Sequence, residues 1–319
     1  MDTMPDPARY AGIDVAAARL DVHVRPAGLA WTASNDPAGQ RAVAQRLAEL
    51  GVTLVVVEAT GGYERPVAAE LATADVPVAV VNPRQVRAFA KAIGQLAKTD
   101  ALDAAVLAHY GEAVRPEPRP LPDAQTQHRK DLVARRADLV AMQTAEKQRR
   151  GHATGAIREG IEEHLTWLKT RIKALEQEIA ALIKANDAWT ATATLLMSTP
   201  GVALITTATL LANLSELGQL SRQEVAALVG VAPLNRDSGA MRGKRACWGG
   251  RGEVRRVRSL AAGTGVQDNP TLRTFRERLL AQGKLKKVAL VACAHKLLTI
   301  LTAMVRDGQP WTDPEGAVA

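Results

Sequence analysis

The run TLVVVEA, residues 53–59, constrains the fold of this chain more than any other short stretch. Its four consecutive apolar residues, 54–57, are typical of a strand buried on both faces, as in a parallel sheet. Parallel strands need crossover connections, usually helices, and helical patterns flank the run at residues 37–51 and 64–75. The run therefore predicts an α/β domain built around one central strand.

The other segments of the first 114 residues also alternate between strand and helix patterns. Three short strand patterns joined by short turns come first, which indicates an antiparallel meander followed by crossovers. The strand patterns lie at residues 10–16, 19–26, 29–35 and 76–82, and two further helical patterns lie at residues 83–93 and 99–114. We expect one mixed α/β domain over residues 8–114.

A proline-rich stretch, RPEPRPLPDAQ, follows this domain. Proline occupies every second position from 116 to 122, which forbids helix and favours an extended, semi-rigid connector. We place the domain boundary there and treat residues 115–124 as a linker.

Residues 125–187 carry the pattern of a helical coiled-coil segment. Apolar residues recur at alternating spacings of four and three, the a/d seam of three heptads. The seam consists of Ile161, Leu165, Leu168, Ile172, Leu175, Ile179 and Leu182. The pattern favours contact with a partner chain, and the alternative is an antiparallel hairpin in which this helix packs on residues 125–150.

Residues 190–311 read as a mostly α C-terminal domain that contains one dense basic stretch. Ser221 and Glu224 match a capping box and predict a helix start. The stretch from 236 to 258 holds eight Lys or Arg residues against two acids, with five glycines between them. Cations among glycines favour contact with phosphate groups, and the alternative is a solvated loop.

Composition narrows the class of protein. Lys and Arg number 41 against 33 Asp and Glu, a balance of +8 that favours a polyanionic partner, nucleic acid before membrane, although a merely soluble basic protein has the same balance. Cys247 and Cys293 are isolated, which argues against a disulfide framework or a cysteine zinc site. We expect a cytoplasmic protein without a signal peptide or a membrane span.

Two aspartates lie three residues apart in KTDALDAA, residues 98–105. In a helix Asp100 and Asp103 share one face, and like charges this close repel unless a cation lies between them. Asp14 interrupts the first strand and Glu58 ends the TLVVVE run, where burying an unpaired carboxylate is costly. Acids on a first strand, a fourth strand and a late helix are the pattern of the ribonuclease H-like metal site, where Mg²⁺ or Mn²⁺ promotes phosphodiester transfer.

The alternative for Asp100 and Asp103 is structural, since acids behind a Thr99 cap also complement the dipole of a helix N-terminus. Lys98 and the TGG loop at residues 60–62 are expected to add phosphate contacts, and as isolated features they read as solvated loop residues. The six histidines are scattered without the spacing of metal ligands, so they predict no rival site.

A set of segments resembles, in order along nearly the whole chain, the DEDD transposases of the IS-one-ten insertion-sequence family, now understood as bridge-RNA-guided recombinases. The segments are GIDVA, VVVEATGGYE, VNPRQVRAFAKAIGQLAKTDALDAAVLA, STPGVALITTATLLA, LVGVAPLNRDSG, RGKRACWGGRGEVRR and NPTLRTFRERLLAQGKLKKVALVACAHKLLTIL.

The resemblance implies a RuvC-like N-terminal domain whose acidic tetrad is Asp14, Glu58, Asp100 and Asp103, with Mg²⁺ or Mn²⁺ as cofactor. It implies that Ser238, in RDSG, attacks DNA and forms a phosphoserine link. It further implies a guide (bridge) RNA, donor and target double-stranded DNA, a homo-oligomer that is a dimer or tetramer, and a bacterial cytoplasmic enzyme that is nucleoid-associated when bound to DNA.

A serine hydroxyl needs a base or a metal for activation and cations to stabilise the pentavalent phosphate. Cations of the basic stretch are the expected phosphate and nucleic-acid contacts: Arg236, Arg242, Lys244, Arg245, Arg251, Arg255, Arg256 and Arg258. Without the resemblance, DSG reads as an ordinary turn. Two other functions stay open from the residues: a metal-only nuclease or junction resolvase, and a non-catalytic nucleic-acid-binding protein.

Overall fold

The computed structural model describes residues 8–95, 100–118, 123–214, 216–234, 237–238, 241–242, 246–247, 250 and 265–312. The chain separates into two compact units, residues 1–121 and 122–319.

The first unit contains a five-stranded mixed sheet with the order β3-β2-β1-β4-β5. β1, β2 and β3 form the predicted antiparallel meander. The strands reached by crossovers, β4 and β5, extend the sheet in parallel from β1. The strands are β1 Arg9–Val15, β2 Arg19–Arg25, β3 Leu29–Ser34, β4 Val52–Glu58 and β5 Val78–Val81, and the helices are α1 Pro37–Glu49, α2 Glu64–Thr73, α3 Pro83–Ala92 and α4 Asp100–Val114. This topology is consistent with a ribonuclease H-like domain.

Alternating residues of the central strands pack into two separate apolar layers. Ile13 and Val57 belong to the layer that contains the buried faces of α1 and α2. Tyr10 and Val56 belong to the opposite layer, which contains buried residues of α3 and α4. The TLVVV run is therefore buried on both sides, which is why it lacks the polar alternation of a half-exposed strand.

The backbone of α4 packs closely against the sheet at Gly12 in β1. A Cβ atom on Gly12 would lie 2.2 Å from the carbonyl oxygen of Ala104 and 2.3 Å from the amide nitrogen of Ala108. Two residues earlier on the strand, Tyr10 lies beside Gly111, whose added Cβ would be 3.8 Å from that of Tyr10. Residue numbers therefore increase along β1 while they decrease along the part of α4 that lies beside it, so α4 runs antiparallel to β1.

The second unit is largely helical over the residues that the structure describes. Its helices are α5 Ala124–Arg150, α6 Gly155–Lys184, α7 Asp187–Met197, α8 Leu204–Asn213, α9 Arg222–Val229, α10 Gly265–Asp268, α11 Pro270–Ala281 and α12 Lys286–Asp307. The main core is formed by buried side chains of α7 to α12, among them Leu196, Leu210, Val229, Leu272 and Leu297.

The heptad seam of α6 packs against α5 of the same chain. Leu168 and Ile172 are buried in a cluster with Leu139 of α5, and Ile179 is buried in a second cluster with Leu132. Only residues 151–154 separate the two helices, so they form the antiparallel hairpin that the sequence offered as the alternative. A partner-chain contact of α6 stays a prediction.

The predicted capping box at the start of α9 is confirmed. The Ser221 hydroxyl accepts a hydrogen bond from the Glu224 amide at 3.3 Å, and the Ser221 amide donates to the Glu224 carboxylate at 2.8 Å. Gly230 ends the helix in the left-handed conformation at φ 71°.

The last helix, α12, is long and apolar enough to cross a membrane by length and composition alone. Leu297, Leu298 and Leu301 of this helix are fully buried in the main core of the second unit. Core helices pass the same test, so the apolar run of α12 is explained by packing within the unit.

Gly12→Ala should disrupt the contact between β1 and α4, because the added methyl group would meet helix backbone rather than a movable side chain. We expect the free energy of unfolding to fall by about 1–3 kcal/mol, which is typical of overpacking. Hydrogen exchange of residues 9–15 and 100–114 should accelerate. Gly160→Ala, in an exposed turn of α6 with open space around it, is the control and should leave those amides unchanged. Equal exchange in wild type and Gly12→Ala would contradict the close packing.

Candidate active site

Asp14 and Glu58 lie side by side on neighbouring parallel strands. The register pairs Gly12 with Val56, so two residues further along each strand Asp14 lies beside Glu58. Both residues continue the alternation that faces α4, and both are half-buried. Neighbouring strands are about 4.8 Å apart, which places two carboxylates together at one edge of the sheet.

The first turn of α4 lies level with Asp14. Two strand residues span about 6.6 Å, and about four residues of helix cover the same length. Counting back from the contact of Gly12 with Ala104 and Ala108 therefore brings the α4 backbone at Asp100–Asp103 beside Asp14. Asp103 is half-buried, and the side chain of Asp100 lies outside the described residues.

These acids have carboxylate oxygens, the ligands that Mg²⁺ and Mn²⁺ prefer. Asp14, Glu58 and Asp103 each have an interaction partner, so none is a free charge. Among the described residues, no three His, Cys, Asp or Glu side chains are gathered closely enough to hold a metal ion. The donor chemistry fits a divalent metal, and Asp100 stays a predicted ligand.

Sequence reasoning missed a further acid, Asp21 of β2. It pairs directly with Asp14 across the antiparallel ladder, so both side chains project from the same face of the sheet. Asp21 is 7 % exposed and accepts a hydrogen bond from Arg19 Nε at 2.8 Å. On the same strand, burial and the nearby charge of Arg25 both lower the pKa of His23, so its imidazole is neutral near pH 7. The cation that pairs with Asp21 is therefore Arg19.

The signal for Asp21 was present in the sequence. In RLDVHVR, the apolar residues Leu20, Val22 and Val24 alternate with polar ones. These apolar residues pack in the layer with α1 and α2, so Asp21 lies on the opposite face of the sheet. Placing it across from Asp14 also required the register of the β1–β2 turn, which a pattern of side chains does not supply.

The TGG loop after Glu58 is occupied by an acid of its own chain. The Glu64 carboxylate accepts hydrogen bonds from the amides of Thr60 at 3.0 Å and Gly62 at 2.9 Å, and Glu64 is 7 % exposed. Two amides of the loop that was expected to contact phosphate therefore already have a partner within the chain. Lys98 lies outside the described residues.

Ser238 occupies the last paired position of a short β-hairpin in the second unit. Asp237 pairs with Arg242 and Ser238 with Met241, in the strands β7 Asp237–Ser238 and β8 Met241–Arg242. Only residues 239–240 connect the two strands. The backbone therefore places Ser238 next to a hairpin connection, and its side chain lies outside the described residues.

A second strand pair, formed by residues on either side of this hairpin in sequence, contacts the end of α9. Strands β6 Pro233–Leu234 and β9 Ala246–Cys247 pair antiparallel, and the Cys247 thiol donates to the carbonyl oxygen of Val231 at 3.2 Å. In sequence, the hairpin that carries Ser238 therefore lies between two strands that pair with each other close to the end of α9.

Most of the predicted nucleic-acid contacts lie outside the described residues: Arg236, Lys244, Arg245, Arg251, Arg255, Arg256 and Arg258. Of Arg242, only the backbone is described. Gly250, one of the interspersed glycines, has φ 76°, and an added Cβ would lie 2.6 Å from the amide nitrogen of Gly230. At this position the missing side chain permits contact with the protein's own helix end.

Each unit, taken by itself, contains a feature that suits action on nucleic acid. Acids at one edge of a mixed sheet suit divalent-metal phosphoryl transfer. A basic, glycine-containing run suits contact with a phosphate backbone. These features are typical of an enzyme that acts on nucleic-acid phosphodiesters.

The family is given by comparison with known proteins. A transposase model of the DEDD IS110 type matches residues 11–153, and the model of the transposase IS116/IS110/IS902 family matches residues 193–277. Since both models describe one family and match in order along the chain, the chain belongs to the IS110 transposases, the IS-one-ten family of the sequence resemblance. It is a DNA-cleaving and rejoining enzyme of an insertion sequence, and membership of the DEDD family suggests dependence on a divalent metal.

Curated proteins that are similar to this chain support its assignment to the IS110 family. The chain is 27 % identical over 262 residues to the pilin gene-inverting protein of Moraxella lacunata, covering 81 % of each chain. The corresponding Moraxella bovis protein has the same identity and coverage. An insertion element IS110 protein of 43.6 kDa from Streptomyces coelicolor is 32 % identical over 146 residues, 45 % of this chain and 35 % of that protein.

Binding of Mn²⁺ to the acids should protect the adjoining backbone from hydrogen exchange. At ten times its Kd, the ion should stabilise the site by about 1.4 kcal/mol and slow exchange in residues 9–15 and 100–114 up to about tenfold. Asp14→Asn and Glu58→Gln should lose this protection. Glu112→Gln is the matched control, because Glu112 is an acid of α4 that pairs instead with Arg25 at 2.6 Å. Protection that persists in the Asp14 and Glu58 variants would place the metal elsewhere.

Gly250→Ala should loosen the end of α9. Gly283→Ala is the matched control, because Gly283 has φ 77° with open space around it. A left-handed alanine alone costs about 1–2 kcal/mol, whereas Gly250→Ala adds backbone clashes. We expect faster hydrogen exchange over residues 225–234 only in Gly250→Ala, and the same exchange in both variants would argue against the contact.

Proposed function

We propose that this transposase is an RNA-guided DNA recombinase that cuts and rejoins donor and target DNA through a phosphoserine intermediate at Ser238. In this proposal Asp14, Glu58, Asp100 and Asp103 are the acidic tetrad of a RuvC-like domain. The observation that carries it is the convergence of Asp14, Glu58 and the first turn of α4 at one edge of the sheet.

The acids would hold Mg²⁺ or Mn²⁺, which when bound supplies charge that stabilises the phosphoryl-transfer transition state. Ser238 forms a bond from its Oγ to phosphorus while one P–O bond of the DNA backbone breaks. The serine proton leaves to a base and the departing DNA oxygen takes up a proton. The proposal requires the acids of this chain or of a neighbouring protomer to act on the same phosphate as Ser238.

The basic run would neutralise the pentavalent phosphate. Arg236, Arg242 and Lys244 are close to Ser238 in sequence, and Arg242 belongs to the strand that pairs with the serine strand. Fixed cations stabilise developing negative charge at low reorganisation cost. Arg245 and Arg251 are proposed to share this role, and the other three cations of the run, Arg255, Arg256 and Arg258, are proposed to hold the backbone of nucleic acid.

Recombination is favoured over hydrolysis by the chemistry of the intermediate and by the relatives. A phosphoserine ester retains the energy of the phosphodiester, so a DNA hydroxyl can reverse the step and rejoin the strand. The Moraxella proteins are named for inverting a gene, an outcome that needs rejoining as well as cutting.

The guide RNA is supported by what the chain lacks for reading bases itself. Its aromatic residues number two Phe, five Trp and three Tyr, too few for extensive stacking on single strands. Pairing with an RNA would read the sequence while the protein holds the backbone. A dimer or tetramer is supported by the exposed apolar residues Ile157 and Trp167 on α6, which are 72 % and 50 % exposed.

The decisive experiment looks for DNA-linked protein on a denaturing gel. Purified protein is incubated with element-end RNA, Mg²⁺ and labelled donor and target DNA. The adduct should form in wild type and in the control Glu112→Gln, and it should be absent in Ser238→Ala, in Asp103→Asn and without RNA.

Each outcome separates one part of the proposal. Cleavage in Ser238→Ala without any adduct, together with no cleavage in Asp103→Asn, would mean a metal-only nuclease. An adduct that forms without RNA would remove the guide. An adduct in Ser238→Ala would assign the nucleophile to another residue.

A further inference from the structure

The half of the α5–α6 hairpin where α5 ends and α6 begins carries a groove, and none of its lining residues belongs to the acidic site or to the basic run. It has a volume of about 590 Å³. Its lining comprises Gln143, Lys147, Arg150, Glu162, Leu165, Thr166 and Lys169. Two helices contribute to it, so its shape is set by the packing of the hairpin.

Positive charge dominates the groove. Lys147, Arg150 and Lys169 have no ion-pair partner within the described parts of the chain. Lys147 donates to the neutral amide oxygen of Gln143 at 3.0 Å, which leaves its charge uncompensated. The acid in the lining, Glu162, is already paired with Arg158 at 3.1 Å.

Stabilisation of the helix ends explains only part of this charge. Lys147 and Arg150 lie in the last turn of α5, where cations complement the helix dipole. Lys169 lies in the middle of α6, where the dipole gives no such benefit, yet it lines the same groove. Arg149, also in the last turn of α5, is paired with Glu146 at 2.8 Å and does not line the groove.

The groove also lies on a different side of α6 from the exposed apolar residue Trp167. At 100° per residue, Trp167 projects about 160° from Lys169 around the helix axis. Trp167 packs against His164, with ring centroids 5.9 Å apart. The cationic and the apolar faces can therefore be tested separately.

We propose that this groove binds the phosphate backbone of duplex DNA, at a contact separate from the reacting phosphate. Three uncompensated cations around a concave surface complement a polyanion. DNA is the occupant because it is the substrate of the family to which the chain belongs. The groove contributes affinity and no base recognition, since side chains that contact phosphates carry no sequence information.

The test measures DNA affinity against salt with the full chain. The groove variant is Lys147→Gln, Arg150→Gln, Lys169→Gln. The control is Arg149→Gln, Arg171→Gln, Lys184→Gln, which removes the same charge from exposed positions outside the groove. Fluorescence anisotropy with a 30-base-pair duplex DNA without guide RNA gives the slope of log K against log salt. No catalytic step is involved, so failure of the phosphoserine proposal would leave the result unaffected.

In the groove variant, loss of up to three phosphate contacts should make the slope of log K against log salt less negative by about 2–3. The control should keep the wild-type slope to within about one. Equal slopes in both variants, whether lowered or unchanged, would overturn the proposal. A reduction seen with a matched duplex RNA but not with DNA would also overturn it and assign the groove to RNA.

Discussion

The contact between Gly12 and α4 is the constraint on which the arrangement of the first unit depends. Only a residue without a side chain allows the α4 backbone to approach β1 so closely, with Ala104 and Ala108 at the contact. That contact determines which residues of α4 lie beside which residues of β1. Because α4 begins at Asp100, its first turn then lies beside the end of β1, where Asp14 and Glu58 meet.

The strands and helices of the first unit were predictable because their patterns are local. The double-sided burial of TLVVV and the polar alternation of RLDVHVR both follow from which faces the strands pack. The position of Asp21 opposite Asp14 was not predictable, since it depends on a register set by a turn. Its burial with Arg19 is a property of the assembled sheet.

The second unit shows a different limit of sequence patterns. The a/d seam predicted a long packed helix at residues 155–184 but could not identify its partner, because an apolar stripe suits any complementary helix. In the structure α5 supplies that partner, and the Arg136–Glu176 ion pair at 2.6 Å joins the two helices. Gly250 illustrates the same ambiguity, since a glycine that permits close approach does not reveal whether the neighbour is nucleic acid or protein.

The buried carboxylate of Glu64 has a consequence for the backbone beside Glu58, a proposed member of the acidic tetrad. The amides of Thr60 and Gly62 are hydrogen-bonded to Glu64 of the same chain, so contacts within the protein order the segment that follows Glu58. Ordering a flexible backbone costs about 1–2 kcal/mol per residue, and here folding rather than substrate binding covers that cost. The backbone beside Glu58 is thereby preorganised, so in the proposed mechanism substrate binding does not have to order the loop that follows it.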